Sequence, residues 1–201
     1  MLKKIPLFLI LFRLLAGFLI IILAFLQPLH FRAILLVLLA TGLLSDILDG
    51  IIARSLGVSG EMLRRLDSSA DQVFWLCSLG ACYIYCPSFF SDNWLSLTIV
   101  LALEACTYIL SYIRFRKEVA THAILSKIWT LTILAVMVQL FLSCQSSWIF
   151  TTCIMLGIVS RIENLAILLL LKSWESDIPS VVHALQRRRG KDIKRNKLFN
   201  G

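Results

Sequence analysis

The stretch SDILDGIIARSLGVSGEMLRRLDSSAD, residues 45–71, places acidic side chains within a strongly apolar chain. More than half of the aspartates in the sequence lie here: Asp46, Asp49, Asp67 and Asp71. Ionised groups inside a membrane are costly, and those that occur there usually serve a function. If the chain lies in a membrane, this segment predicts both a pair of helices and a functional site.

The composition indicates a membrane protein. Of 201 residues, 59% are hydrophobic and 16% are charged, and the mean hydropathy is +0.85. Soluble domains carry about 25% charged residues, and a soluble surface this apolar would aggregate. Apolar stretches long enough to cross about 30 Å of hydrocarbon as a helix recur, whereas the alternation typical of membrane barrels is absent. We predict an all-α integral membrane protein.

Six transmembrane helices are predicted, followed by a short basic tail. The predicted spans are 6–26, 33–53, 65–86, 94–114, 124–143 and 148–171. Residues 1–175 then form one membrane domain, and residues 176–201 form the tail. The first span is similar to a signal peptide, but no small-residue cleavage site follows it, so we expect it to be retained.

Basic residues alternate between the two sides of the predicted spans. They precede the first span and follow the second, fourth and sixth, whereas the intervening loops carry almost none. Because loops rich in Lys and Arg remain in the cytoplasm, both termini and the loop 54–65 are predicted to be cytoplasmic. The acidic segment is then at the cytoplasmic face.

The tail contains the run QRRRGKDIKRNK, residues 186–197, which accounts for most of the formal net charge of +8. Such a run is typical of nucleic-acid binding or of attraction to anionic lipid headgroups. Because this run is tethered at a membrane surface, we predict contact with membrane lipid and no nucleic-acid partner. Orientation of the chain by positive charge would by itself also account for the run.

The six cysteines form no CxxC pair, and nearly all lie in apolar surroundings. Zinc sites and disulfide frameworks usually show characteristic cysteine spacings. We therefore predict that these cysteines serve as small apolar packing residues.

The spacing of the four aspartates predicts that they lie close together. Asp46 and Asp49 are three residues apart, and Gly50 and Ala53 continue the same helical stripe. The second pair, Asp67 and Asp71, is four residues apart at the start of the next span. Because a short loop joins the two helices, they run antiparallel and both pairs lie at similar depth. We expect an acidic surface with room above it.

Carboxylates so close to one another repel unless cations compensate them. Oxygen ligands suit Mg²⁺, Mn²⁺ or Ca²⁺ rather than zinc, and Mg²⁺ leaves positions for water and phosphate oxygens. Two such ions could hold the attacking and leaving oxygens of a displacement at phosphorus. A single aspartate would more simply be a helix cap or an ion-pair partner of Arg64 or Arg65. Four at helical spacing on adjacent helices favour a metal site.

The same residues resemble the signature of the CDP-alcohol phosphatidyltransferase family, D-x2-D-G-x2-A-R-x8-G-x3-D-x3-D. The fixed positions that match are Asp46, Asp49, Gly50, Ala53, Arg54, Asp67 and Asp71. The resemblance implies a six-helix membrane enzyme, typically a homodimer. Such an enzyme moves a phosphatidyl or similar group from a CDP-linked donor to an alcohol and releases CMP.

The resemblance also implies roles for these residues. The four aspartates would hold Mg²⁺ or Mn²⁺, and Asp71 would act as the general base. Gly50 and Ala53 would lie against the cytidine nucleotide, with Arg54 near its phosphates.

The chain departs from the family pattern at two places. Leu63 replaces the signature glycine one turn before Asp67, where it could crowd the nucleotide, shift the donor or tune which donor fits. In the first span, IPLFLILFR (residues 5–13) keeps only the Arg of a family opening that often carries Asn and Thr before it. For Arg13, pairing with an acid, binding phosphate and snorkelling to the interface remain open.

Three basic residues are candidates for binding the acceptor: Arg114, Lys127 and Arg161. Lys127 resembles a lysine of family members that use phosphate-bearing acceptors, but Trp129 stands where a second lysine is common. Arg161 could reach the acceptor pocket or pair with Glu163 or Glu104. We favour a structural role for Glu104 as the partner of a basic residue.

These observations predict a transferase that joins a CDP-diacylglycerol-like donor to a hydrophilic alcohol. Acceptors that remain open are glycerol 3-phosphate, inositol phosphate, inositol, serine and a second lipid, with a slight preference for the phosphate-bearing ones. A divalent-cation transporter is the main alternative, although it would favour acids at the membrane midplane and internal repeats. A further alternative is an inactive relative that serves as a scaffold, with Leu63 blocking the donor.

Overall fold

The computed structural model describes residues 4–58, 60–117, 119, 123–175 and 178–191, which are helical with no strand among them. Eight helices are present in these ranges: α1 (Ile5–Leu26), α2 (Phe31–Ser55), α3 (Glu61–Tyr85), α4 (Pro87–Asp92), α5 (Trp94–Phe115), α6 (Ile124–Ser143), α7 (Trp148–Leu170) and α8 (Val181–Arg188). The all-α prediction is therefore confirmed for the described part of the chain.

Five of these helices, α1, α2, α5, α6 and α7, are long and apolar enough to cross a membrane. Their bounds agree with the predicted spans to within a few residues. Helix α3 has 25 residues, or about 37 Å of helix, which is enough to cross. Its first half, however, carries the charges of the acidic segment, so the predicted span 65–86, and with it the total of six spans, remains a prediction.

The outer face of α1 shows what surrounds the molecule. Phe8, Leu15, Phe25 and Leu26 are between 66% and 71% exposed. Large apolar side chains exposed along a whole helix are unfavourable in water but match the hydrocarbon of a bilayer. This surface is the one expected of an integral membrane protein.

The chain divides into two compact units. Unit one comprises Met1–Asp92 and Val136–Ser146, and unit two comprises Asn93–Ala135 and Ser147–Gly201. Helix α6 contributes its first part to unit two and its last part to unit one.

In unit one, α1 packs along both α2 and α3, which contact each other less extensively. Gly17 allows the approach of α1 to α3, because a Cβ atom added there would lie 3.0 Å from the Cα atom of Phe74. The fully buried ring of Phe74 in turn fills the space beside Gly42 of α2. Small residues commonly permit such close packing of membrane helices. Helix α1 thus holds the two aspartate-bearing helices in place.

A disulfide joins Cys86, directly after α3, to Cys144, directly after α6, with their Cα atoms 5.4 Å apart. Both residues belong to unit one. The prediction that the cysteines only fill apolar space is wrong for this pair. The 58 residues between them give no local spacing signal, since the pairing arises from the packing of the two helix ends. The other cysteines, of which Cys82 and Cys153 are buried, are free thiols.

In unit two, α5 packs on α7, and α8 packs on the end of α7. A buried apolar cluster supports α8; its members are Ala123, Ile167, Leu171, Ile178 and Ala184. Arg187 of α8 also donates a hydrogen bond to Glu175 at 2.7 Å. Part of the predicted basic tail is therefore a helix that packs within unit two. Residues 176, 177 and 192–201 of that tail lie outside the described residues.

Candidate active site

The acidic segment folds so that both aspartate pairs face one another in unit one. Asp46 and Asp49 lie in the last three turns of α2, and Asp67 and Asp71 lie in the first three turns of α3. Each of Asp46, Asp49 and Asp67 offers a carboxylate oxygen within 4.8 Å of the others. The sequence prediction that the two pairs meet is confirmed.

The side chain of Arg13 lies at the centre of this cluster and is 1% exposed. Its Nη1 atom lies 2.5 Å from Asp46 Oδ1 and 2.9 Å from Asp71 Oδ1. Its Nη2 atom lies 3.0 Å from Asp49 Oδ2 and also pairs with Asp67 Oδ1. Of the three roles left open for Arg13, the structure shows pairing with acids.

Arg13 was not among the site residues predicted from the sequence, although a signal for it was present. A charged residue in the middle of an apolar helix needs a partner, and the acidic segment supplies the nearest excess of opposite charge. What the sequence did not contain was the direction in which Arg13 points. That direction follows from the contact of α1 with both α2 and α3.

The four carboxylates differ in their access to solvent. The side chain of Asp49 is 3% exposed, whereas those of Asp71 and Asp46 are 24% and 35% exposed. The Oδ1 atom of Asp71 is buried and lies within ion-pair distance of Arg13, but without the geometry of a hydrogen bond. Asp71 thus combines a buried, incompletely satisfied oxygen with a side chain that solvent can still reach.

The small residues of α2 leave a space that Arg54 partly covers. Ala53 is 6% exposed, and a Cβ atom added at Gly50 would lie 3.3 Å from Nη1 of Arg54. The Arg54 guanidinium therefore lies over Gly50, the residue that follows Asp49. The Nε atom of Arg54 is buried and has no hydrogen-bond partner among the described residues. Leu63, in the first turn of α3, is partly buried.

The sequence model of the CDP-alcohol phosphatidyltransferase family matches residues 3–160 of the chain, which is most of its length and includes the whole acidic segment. The chain belongs to the CDP-alcohol phosphatidyltransferase family. No curated protein and no solved structure gave a significant match.

Membership of the CDP-alcohol phosphatidyltransferase family assigns the protein to the membrane phosphotransferases that use a CDP-alcohol donor and an alcohol acceptor. The family generally depends on divalent metal, and the aspartate cluster offers a set of oxygen ligands for such an ion. The chain is accordingly an integral membrane protein with a general role in phosphatidyl transfer.

The charges of the cluster fit a divalent metal. When all are ionised, the four carboxylates and the Arg13 guanidinium that contacts them sum to a formal charge of −3. Negative charge concentrated in this way is unfavourable in a partly buried site. One or two divalent cations would remove most of it, and carboxylate oxygens are the ligands that Mg²⁺ and Mn²⁺ prefer.

Of the residues predicted to bind the acceptor, Arg161 is buried in unit two and already paired. Its Nη1 atom donates to Glu104 at 2.7 Å, and its Nη2 atom donates to Ser126 at 3.0 Å. Its guanidinium carbon lies 4.7 Å from the centre of the Trp129 ring. The interpretation of Glu104 as the partner of a basic residue is confirmed. Gly157 makes room for Trp129, since a Cβ atom there would lie 2.7 Å from Trp129 Nε1.

Arg114 and Lys127 differ from Arg161 because both are exposed. Arg114 donates a hydrogen bond to the carbonyl oxygen of Leu171 at 2.8 Å, which ties the end of α5 to the end of α7. Lys127 lies in the first turn of α6. The three residues predicted to bind the acceptor are therefore not equivalent: one is a buried ion pair and two are surface cations.

Proposed function

We propose that the protein transfers a phosphatidyl group from a CDP-diacylglycerol-like donor to a hydrophilic alcohol and releases CMP. The observation that supports this proposal is that four carboxylates from α2 and α3 converge on Arg13. Together with Arg13 they carry a formal charge of −3 when ionised. Within a family of CDP-alcohol phosphotransferases, such a cluster is suited to a metal that meets the diphosphate of the donor.

Asp46, Asp49, Asp67 and Asp71 would hold Mg²⁺ or Mn²⁺. When bound, the ions would neutralise the diphosphate and the negative charge that develops on the departing CMP. The carboxylates themselves fix where the donor phosphates lie, because both pairs are held by regular helix.

Asp71 would act as the general base. Its side chain is reachable from solvent, while its buried oxygen lacks a hydrogen-bonded partner. The proposed step is an in-line displacement in which the acceptor hydroxyl oxygen forms a bond to the phosphorus of the phosphatidyl group. The bond from that phosphorus to the oxygen of CMP breaks, and Asp71 takes the hydroxyl proton.

Gly50, Ala53 and Arg54 would bind the nucleotide of the donor. A side chain larger than hydrogen at residue 50 would press on the Arg54 guanidinium. The unpartnered Nε atom of Arg54 supports a role in contacting a phosphate oxygen.

The acceptor is proposed to be a small hydrophilic alcohol, with phosphate-bearing alcohols such as glycerol 3-phosphate and inositol phosphate among the candidates. Arg114 and Lys127 are exposed and would attract an anionic acceptor. Arg161 would bind an acceptor phosphate only by giving up Glu104, since the two side chains are hydrogen-bonded. This pairing makes Arg161 the weakest of the three candidates.

Both termini and the site are proposed to face the cytoplasm, and the protein is proposed to act as a homodimer, as the family resemblance implies. The disulfide supports the orientation. Cys86 follows Asp71 by 15 residues of nearly continuous helix, or about 22 Å, toward the opposite end of α3. Disulfides persist in oxidising compartments and are rare in the cytosol. A disulfide at one end of α3 therefore favours a cytoplasmic location for the other.

The test is CMP release by the purified full-length protein with CDP-diacylglycerol, Mg²⁺ or Mn²⁺ and a panel of alcohols. We expect release that requires an acceptor, stops with chelator, and falls at least about a hundredfold in Asp71→Asn. Asp92→Asn is the matched control, because Asp92 is exposed on α4, outside the cluster. Failure to bind CDP-diacylglycerol, together with no CMP from any acceptor, would overturn the proposal in favour of an inactive relative.

A further inference from the structure

We propose that Arg13 is an internal counter-cation that competes with divalent metal for the four carboxylates and so sets the metal affinity of the site. This inference rests on the proposed metal-dependent transfer. It assigns a positioning role to a residue of α1, outside the acidic segment that carries the proposed ligands.

The contacts of Arg13 cross-link the two aspartate-bearing helices. Nη1 contacts Asp46 of α2 and Asp71 of α3, and Nη2 contacts Asp49 of α2 and Asp67 of α3. Each terminal nitrogen therefore joins one carboxylate from each helix. A planar guanidinium with two terminal nitrogens can make this four-way contact, whereas a lysine ammonium offers a single nitrogen.

The same carboxylates are the proposed metal ligands, so the two kinds of cation need the same space. Carboxylate oxygens of Asp46, Asp49 and Asp67 lie within 4.8 Å of one another, and Arg13 contacts all three side chains. A Mg²⁺ or Mn²⁺ ion binds oxygen at about 2.1 Å and must enter between them. On this proposal, an ion that takes the oxygens contacted by Arg13 displaces some of those contacts.

Burial makes this competition significant. Arg13 is fully buried, and its Nε atom already lacks a hydrogen-bond partner. A guanidinium that loses carboxylate partners in such surroundings stays charged and poorly solvated. Metal binding must therefore offset the cost of separating Arg13 from its carboxylate partners. The site then binds metal more weakly than the same four carboxylates would without Arg13. In return, Arg13 stabilises the carboxylates when metal is scarce.

The test compares wild type, Arg13→Gln, Arg13→Lys and Arg32→Gln as full-length proteins. Arg32 lies at the other end of α2, so its variant makes the same change of charge away from the cluster. Bound Mn²⁺ is measured from the electron paramagnetic resonance signal of the free ion, and thermal unfolding is followed in chelator. Neither readout depends on catalytic activity.

We expect Arg13→Gln to half-saturate at a Mn²⁺ concentration at least about tenfold below that of wild type, because a close positive charge has been removed. In chelator the same variant should unfold at a lower temperature. Arg13→Lys should lie between the two in Mn²⁺ affinity, and Arg32→Gln should match wild type. If Arg13→Gln folds too poorly to titrate, the comparison rests on Arg13→Lys.

A half-saturating Mn²⁺ concentration that is unchanged or higher in the Arg13 variants, with clear binding to wild type, would overturn the competition and leave the proposed metal site standing. If neither wild type nor any Arg13 variant binds Mn²⁺, the metal site itself is wrong, and the inference falls with it.

Discussion

Leu63 is the fixed position of the family signature at which this chain differs. It stands where the family signature has glycine, one helical turn before Asp67, and it is partly buried. Helical side chains lean back toward the N-terminus, which is away from Asp67 for a residue one turn before it. We therefore expect its bulk to affect the proposed donor more than the carboxylates.

We predict that Leu63→Gly raises the turnover of CDP-diacylglycerol several-fold while lowering the free energy of unfolding by about 1 kcal/mol, the usual cost of glycine in a helix. The measurement is steady-state CMP release together with chemical unfolding. Leu66→Gly carries the same helical cost at a side chain that is 42% exposed on α3. Equal turnover in the two variants would show that Leu63 does not restrict the donor.

Among the elements, α1 decides whether the two aspartate pairs meet. It is the helix that contacts both α2 and α3, and Gly17 lies one turn after Arg13 along it. The close approach at Gly17 therefore also sets how far Arg13 reaches between the pairs. Helix α1 contains no proposed metal ligand, yet the geometry of the cluster depends on it.

Gly17→Ala should destabilise the protein by about 1–3 kcal/mol, because the added Cβ atom would lie 3.0 Å from backbone of α3 and backbone cannot move aside. Gly80→Ala should cost much less. Its Cβ atom would lie 3.3 Å from the end of the flexible Ile21 side chain. Thermal unfolding of both variants, which alter the same pair of helices, measures the difference. Similar losses would mean that backbone approach at Gly17 is not what limits the packing.

The helices and the meeting of the aspartates could be predicted because length, hydropathy and helical spacing are local properties of the sequence. The rotation of α1 could not be predicted in this way. In lipid, both the buried and the exposed faces of a helix are apolar, so Ile20, which is buried, and Leu19, which is 43% exposed, look alike in sequence. Three features depend on how the helices rotate and pack against one another. They are the position of Arg13, the disulfide, and the contact of Trp129 with Arg161.

At the scale of the whole molecule, the disulfide and the carboxylates lie toward opposite ends of α3 in unit one. This separation agrees with the alternation of basic loops along the chain. Two independent properties, loop charge and cysteine chemistry, therefore favour the same orientation in the membrane.

We expect denatured protein from cells to take up four maleimide-polyethylene glycol adducts without reductant, on Cys77, Cys82, Cys106 and Cys153. Two more should appear after reduction, because Cys86 and Cys144 are paired. Gel mobility measures the number of adducts, and a Cys86→Ser, Cys144→Ser double variant should show four under both conditions. Six adducts before reduction would contradict both the disulfide and the orientation that it supports.

The position of Arg13 in the chain also bears on how the protein is made. Arg13 precedes Asp46 by 33 residues, so α1 leaves the ribosome before α2. When Asp46 and Asp49 enter the membrane, the cation that pairs with both of them has already been made. As α2 packs against α1, Asp46 and Asp49 can pair with Arg13. This pairing lowers the free-energy cost of inserting the two acids into the membrane, without help from metal. The basic residue is thus synthesised before the acidic residues that pair with it.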